Sequence, residues 1–164
     1  MNHFPQDSEE KQDTAGIKVI PPVAFAICLC LGLCLNTIWP WPLPLPSPEY
    51  HIWIGLFIGL DGLIFGIWGI KRFHIFGVNL HPNTESSSLV TSGAYELSRN
   101  PMYVGTVLIL FAMGVGISSL WVIFSVCPLF VYFQVHVIPR EEAYLTRTFG
   151  EDYTQYCRTV RRWL

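Results

Sequence analysis

Apolar residues fill this chain in long runs broken by short polar or proline-rich stretches, without the strict alternation of a half-buried strand. The runs cover about residues 17–39, 50–70, 102–117 and 120–138. A helix crossing a bilayer takes about 20 mostly apolar residues, each adding about 1.5 Å of rise. The pattern therefore predicts an all-α integral membrane protein with four transmembrane helices. The third run is short for a full crossing, which tilt or a submerged tip accommodates. Ser118-Ser119 leaves room only for a turn, so the last two helices are expected to form a hairpin. Pro21 and Pro22 fall in the first turns of the first run, where a missing donor costs least. From Pro40 to Pro48 proline recurs at every second position, which excludes helix and predicts a stiff extended link on the membrane surface. Beyond the last run, Pro139 is expected to restart a helix with Glu141 and Glu142 in its first turn, where the dipole favours acids. Tyr153, Tyr156, Val160 and Trp163 then recur at helical spacing, with Arg158, Arg161 and Arg162 on other faces. That predicts a C-terminal amphipathic interfacial helix.

Composition agrees: 51% of the 164 residues are hydrophobic and only 13% charged, which is a membrane composition rather than a soluble one. Residues 1–16 are polar without an apolar face and are expected to form a disordered cytoplasmic tail, not a signal peptide. The net charge of −2 says little, but the placement of the ten Lys and Arg says more. With four spans they all fall on the side shared by the tail, the 71–101 connection and the C-terminus. The positive-inside rule then predicts that both termini are cytoplasmic. No basic patch suggests nucleic acid; the expected partner is the lipid bilayer. Within the second span Gly55, Gly59, Gly62, Gly66 and Gly69 share one helix face, a seam along which another backbone can approach. Asp61 lies mid-span, where an acid is expensive and is expected to face a polar cavity or a partner. The five cysteines lack metal-like spacing, and His74 and His81 lack a third ligand, so no metal site is expected.

Residues 89–105 are the most chemically mixed stretch. Gly93 suits a tight turn, and Asn100-Pro101 reads as the N-cap and first residue of the third membrane helix. Such a helix end, with Arg99 beside it, can seat a carboxylate or phosphate. A structural reading, a well-capped helix with an interfacial arginine, accounts for the same features. The Ser86–Ser88 run has no fixed His or acid to activate it as a nucleophile.

Leu89-Val-Thr-Ser-Gly-Ala-Tyr95, Arg99-Asn-Pro-Met-Tyr-Val-Gly105, Glu141-Glu142 and Phe149-Gly-Glu-Asp-Tyr153 with Tyr156 occur in that order. In these pieces, spread over residues 77–164, the chain resembles the isoprenylcysteine carboxyl methyltransferases, membrane enzymes related more loosely to phospholipid N-methyltransferases. The resemblance implies a methyltransferase core over residues 71–164, preceded by a 17–70 unit of two helices and the proline-rich link. It implies S-adenosylmethionine as cofactor, held by Ser87, Ser88, Leu89, Val90, Tyr95, the Asn100-Pro101-Met102-Tyr103 element and Glu141, and the adjacent Glu142 is a second candidate on its charge. The helix end would receive the cofactor carboxylate, the glutamates its ammonium, and the tyrosines its adenine and sulfonium region. No Gly-x-Gly-x-x-Gly loop is present, which excludes a Rossmann methyltransferase.

Two departures stand out. Asn100 occupies a position where eukaryotic members carry His, and Val137 one where they carry an arginine involved in substrate handling. Arg140 or His136 is a candidate replacement for that arginine. The acceptor implied is an apolar or prenylated molecule dissolved in the membrane. Phospholipid N-methylation and a non-catalytic membrane scaffold are the alternatives.

Overall fold

The computed structural model describes residues 20–75 and 88–164, and within these every regular element is helical. The 1–16 tail, His81, Ser86 and Ser87 lie outside the described residues. The elements are α1 (Pro21–Ile38), α2 (Pro48–Ile75), α3 (Ala94–Leu97), α4 (Pro101–Gly116), α5 (Leu120–Phe124), α6 (Val126–Tyr132), a π-helical segment (Phe133–Val137) and α7 (Ile138–Thr159). Among the described residues three stretches are long and apolar enough to cross a membrane: Pro21–Ile38, Glu49–Arg72 and the continuous run Leu120–Thr159. The apolar α4 is shorter, at 16 residues.

Proline sets most of the boundaries. Ile20 is extended (φ −68°, ψ 143°), as a residue before proline prefers, so α1 starts at Pro21, and residues 17–19 of the expected first span lie outside the described residues. The link is non-helical as the sequence requires, and Pro48 opens α2. That helix continues past Ile70 to Ile75, because no glycine or proline interrupts it there.

The last long run departs most from expectation. Pro139 does not restart a helix; it sits inside one that has already widened. A proline cannot donate to the carbonyl four residues back, and its ring clashes with that carbonyl. For Pro139 that carbonyl belongs to Val135, inside the π-helical segment, where Ile138 N–H donates to Phe133 five residues back. Pro128 has a similar effect upstream: its fourth residue back is Phe124, where α5 ends, and Ser125 separates α5 from α6. Glu141 and Glu142 therefore stand within a continuous helical run, and the free-end dipole expected to favour them is lacking.

Helix α4 runs antiparallel to α2 along the glycine seam. Gly55 meets Gly116 and Ala112, Gly62 meets Gly105 and Leu108, and Gly69 meets Pro101 and Met102. A Cβ on Gly105 would stand 2.6 Å from the Gly62 carbonyl oxygen and 2.9 Å from Gly66 Cα, so the contact is backbone on backbone. Asp61 lies off this seam and is exposed on a face it shares with Phe57, Leu60 and Ile64. The polar cavity expected around it is not formed by α4, because α4 covers the glycine face instead.

At the end of the bundle opposite Lys71, the link is fastened to the α4–α5 turn rather than lying free. Leu120 N–H donates to the Trp41 carbonyl (2.9 Å), Leu43 N–H to Ser118 Oγ (3.1 Å) and Trp121 Nε1 to the Trp39 carbonyl (2.7 Å). Ser118 makes the turn at φ 54°, and Ser119 caps α5 through Val122 N–H while its own hydroxyl donates to Asn36 (2.9 Å). Buried His51 lies 3.3 Å from both the Leu43 carbonyl and Ser118 Oγ. These bonds supply partners that apolar surroundings cannot.

Gly150 (φ 53°, ψ −119°) kinks α7. The helix stops at Thr159, with Val160 extended, so Trp163 lies beyond it rather than on its face as the spacing suggested. Tyr153 and Tyr156, which do lie on it, turn inward and are buried.

The seam predicts an asymmetric outcome. Gly105→Leu drives a side chain into backbone and is expected to cost at least about 1–3 kcal/mol, whereas Gly116→Ala meets nothing within 4 Å and should stay within about 0.5 kcal/mol. Thermal melts in detergent separate the two. Gly150→Ala also meets nothing within 4 Å, so its expected loss of about 1–3 kcal/mol comes from backbone conformation alone, read in the same melts.

Candidate functional site

The site is built from three separated pieces that converge at the Lys71 end of the bundle. The first is the turn before α4. Gly93 adopts φ 69°, and its missing Cβ leaves room for the Arg72 guanidinium. Glu96 Oε1 accepts from Gly93 N–H (3.0 Å), closing the turn that starts α3. Ala94 and Tyr95 are thereby buried. Val90 and Tyr95 pack with Tyr153 and Tyr156 of α7, flanked by Leu89, Leu145 and Phe149. Tyr156 Oη donates to the Tyr95 carbonyl at 2.7 Å. Burial pushes the Tyr95 phenol well above its usual range, and the neighbouring Tyr156 and Glu141 side chains add to this, so it remains a neutral hydroxyl.

The second piece is the start of α4. Pro101 occupies the first helical position, and the Asn100 carbonyl accepts from Tyr103 and Val104 N–H groups, as a cap carbonyl should. The Asn100 side chain does not cap. Its Nδ2 donates instead to the Arg162 carbonyl (2.9 Å), which draws the amide away from the helix end. Pro101 and Met102 pack their side chains against Gly69 of α2, leaving mainly backbone to offer a ligand. Tyr103 points the other way, its ring 4.7 Å from that of Phe133 across the bundle.

The third piece is the beginning of α7. Glu141 Oε1 accepts from Tyr103 Oη at 2.6 Å, joining residues 38 apart in sequence. Glu142 is already engaged. Arg162 donates to it twice (3.0 and 2.6 Å), and Arg99 Nη1 lies 3.3 Å away. Arg99 also donates to Cys157 Sγ, while its Nε is buried without a hydrogen-bond partner among the described residues.

The expected residues thus divide. Val90, Tyr95, Tyr103 and Glu141 converge, with half-buried Ser88 and Leu89 leading in. Glu142 and the Asn100 side chain are committed to the protein itself. Val137 is fully buried among apolar side chains including Phe133 and Ile138, surroundings that suit valine and not a guanidinium. His136 and Arg140 are exposed, His136 stacked on Tyr132, so neither occupies the buried position that Val137 fills. Arg162 carried no local signal, because its partners are 20 and 62 residues away.

In chemical terms the end of the bundle presents a carboxylate held by a phenol, a guanidinium with an unused donor, and several tyrosine rings. Among the described residues no cluster of His, Cys, Asp and Glu could hold a metal ion.

Comparison with known proteins fits this arrangement. Residues 50–152 match the family described as phospholipid methyltransferase. The match begins in α2, so it includes Asp61 and reaches further toward the N-terminus than the 77–164 resemblance did. An uncharacterized protein of Haemophilus influenzae is 38% identical over 65 residues, which is 38% of this chain and the whole of that protein. No solved structure matches. The family match covers well over half of the chain and takes in the Gly93 turn, the Tyr103–Glu141 pair and most of the Glu49–Arg72 and Leu120–Thr159 stretches; the chain belongs to the phospholipid methyltransferase family.

Proposed function

We propose that the chain is an integral membrane methyltransferase that uses S-adenosylmethionine to methylate a lipid-like or prenylated acceptor. In this reading α1, α2, α4 and the start of the Leu120–Thr159 run are four crossings, the last two a hairpin, and both termini are cytoplasmic. The concentration of Lys71, Arg72, Arg99, Arg140 and Arg162 at the site end supports that orientation. A cofactor supplied from the cytosol would then meet the site directly.

The observation that carries the reading is the Tyr103–Glu141 hydrogen bond at the meeting point of the three pieces. Glu141 accepts through Oε1, which leaves Oε2 for the cofactor ammonium. The orphaned Arg99 Nε–H suits its carboxylate, together with backbone donors at the start of α4. Tyr95 and Tyr103 offer ring faces to adenine or to a positive sulfonium, and Val90 and Leu89 an apolar wall. The residues fit the group. When bound it supplies an activated methyl on a positively charged sulfur. The protein's part is to hold donor and acceptor in line and to exclude water, which is positioning rather than covalent catalysis. A carboxylate acceptor is already ionised at neutral pH and needs no base from the site.

The family's description favours a second acceptor class, the amine of a phospholipid headgroup. Such an amine attacks only when neutral, so it has to shed a proton before the methyl arrives.

Glu141→Gln keeps the shape and removes the charge. Calorimetric titration of S-adenosylhomocysteine into detergent-purified protein is expected to show binding by wild type, weakened roughly tenfold or more in the variant. No binding by well-folded wild type would sink the methyltransferase reading and favour a non-catalytic scaffold. Methyl-labelled cofactor added to membranes distinguishes the acceptors. Label released by mild base as methanol marks an ester on a carboxylate, whereas base-stable label in the phospholipid fraction marks an amine.

A further inference from the structure

Residues 160–163 follow α7 in non-helical conformation and are anchored on two sides. On one side their carbonyls serve the approach to α4. Arg161 O accepts from Arg99 N–H (2.9 Å), and Arg162 O accepts from Asn100 Nδ2 (2.9 Å) and Ser98 Oγ (3.3 Å). On the other side Trp163 Nε1 donates to Gln134 (2.8 Å), and its ring stacks on Phe130 at 4.7 Å. The first anchor holds the helix that carries Tyr103. The second holds the run that carries Glu141. The segment therefore ties together the two elements whose spacing sets the Tyr103–Glu141 hydrogen bond.

Arg162 fastens the segment a third time, through its paired hydrogen bonds to Glu142 beside Glu141. Charge-assisted bonds of this paired geometry are the strong ones. Release would be costly on the α4 side as well. Ser98 is fully buried and Asn100 nearly so, and both would lose the same acceptor at once. Such a segment leaves as a unit or stays.

We propose that residues 160–163 form a strap that fixes the Tyr103–Glu141 pair and retains bound cofactor, with Arg162 and Glu142 as positioning residues rather than ligands. This rests on the methyltransferase reading above. It reassigns Glu142, whose two oxygens are spent on Arg162 and Arg99 and so are not free for an ammonium.

The test measures dissociation of S-adenosylhomocysteine from the full chain in lipid nanodiscs, with amide hydrogen exchange on the same samples. Arg162→Gln is expected to release the ligand roughly tenfold faster than wild type, the size of effect that loss of a charged hydrogen-bonded pair produces. Exchange at residues 98–100 and 160–163 should quicken while α2 and α4 stay protected, and Arg162→Lys should recover part of the retention. Trp163→Phe keeps the ring stack but loses the bond to Gln134, so a smaller acceleration is expected even where Arg162→Gln fails to fold. Unchanged dissociation in folded Arg162→Gln overturns the strap. Faster dissociation without faster exchange at 160–163 also overturns it, since Arg162 would then touch the ligand itself. Wild type that binds no ligand sinks the methyltransferase reading and the strap's role together, a result unlike either of these.

Discussion

A backbone donor or acceptor without a partner is very costly in apolar surroundings, and proline creates that problem wherever it falls within a helix. The chain places Pro139 just before its acidic pair. The π-helical turn over Phe133–Val137 is the local answer: the ladder shifts to five-residue spacing at Ile138, where an ordinary turn would collide with the ring. A widened turn also advances every later residue around the helix axis. Glu141 thereby faces Tyr103 and Glu142 faces Arg162. The facing of both acids is thus set by a missing donor just upstream, at Pro139. Widened turns of this kind often accompany functional sites, and here the geometric reason can be named.

The opposite flank is organised by closeness rather than by polarity. Because α2 and α4 touch through glycine backbones, α4 is held tightly along its length, and Tyr103 is presented from a rigid support. Pro101 and Met102 extend the same contact to the end of the helix, packed on Gly69. One helix thus divides its first turn between structure and site. That division explains why adjacent residues of a single motif do different work.

How far the sequence could be read depends on how far apart the interacting residues lie. Apolar runs, the link, the Ser118-Ser119 turn and the glycine face were all legible, since each is written in neighbouring residues or in helical periodicity. The convergence of Tyr95, Tyr103 and Glu141 was legible through family resemblance alone. Other features depended on distant partners. Asn100 has the chemistry of a cap, yet the Arg162 carbonyl takes its amide. Trp163 continues a helical spacing in sequence, yet α7 has stopped by Thr159, so the periodicity outlasts the helix. Asp61 suggested a polar interior and instead faces outward, because among the described residues the glycines claim the side of α2 that α4 covers. In each case a local preference was overruled by a contact that no window of neighbouring residues contains.

The fastening of the proline-rich link to the α4–α5 turn bears on how the protein is made. Helices α1 and α2 are synthesised first, yet α1 packs chiefly on α5 and α6, and α2 on α4. The Trp39 and Trp41 carbonyls and the Leu43 N–H likewise find their protein partners among residues 118–121. Two helices inserted side by side thus have little to hold them to each other until the hairpin arrives between them. In the finished fold, α4 and the run that follows it stand between α1 and α2 and join them.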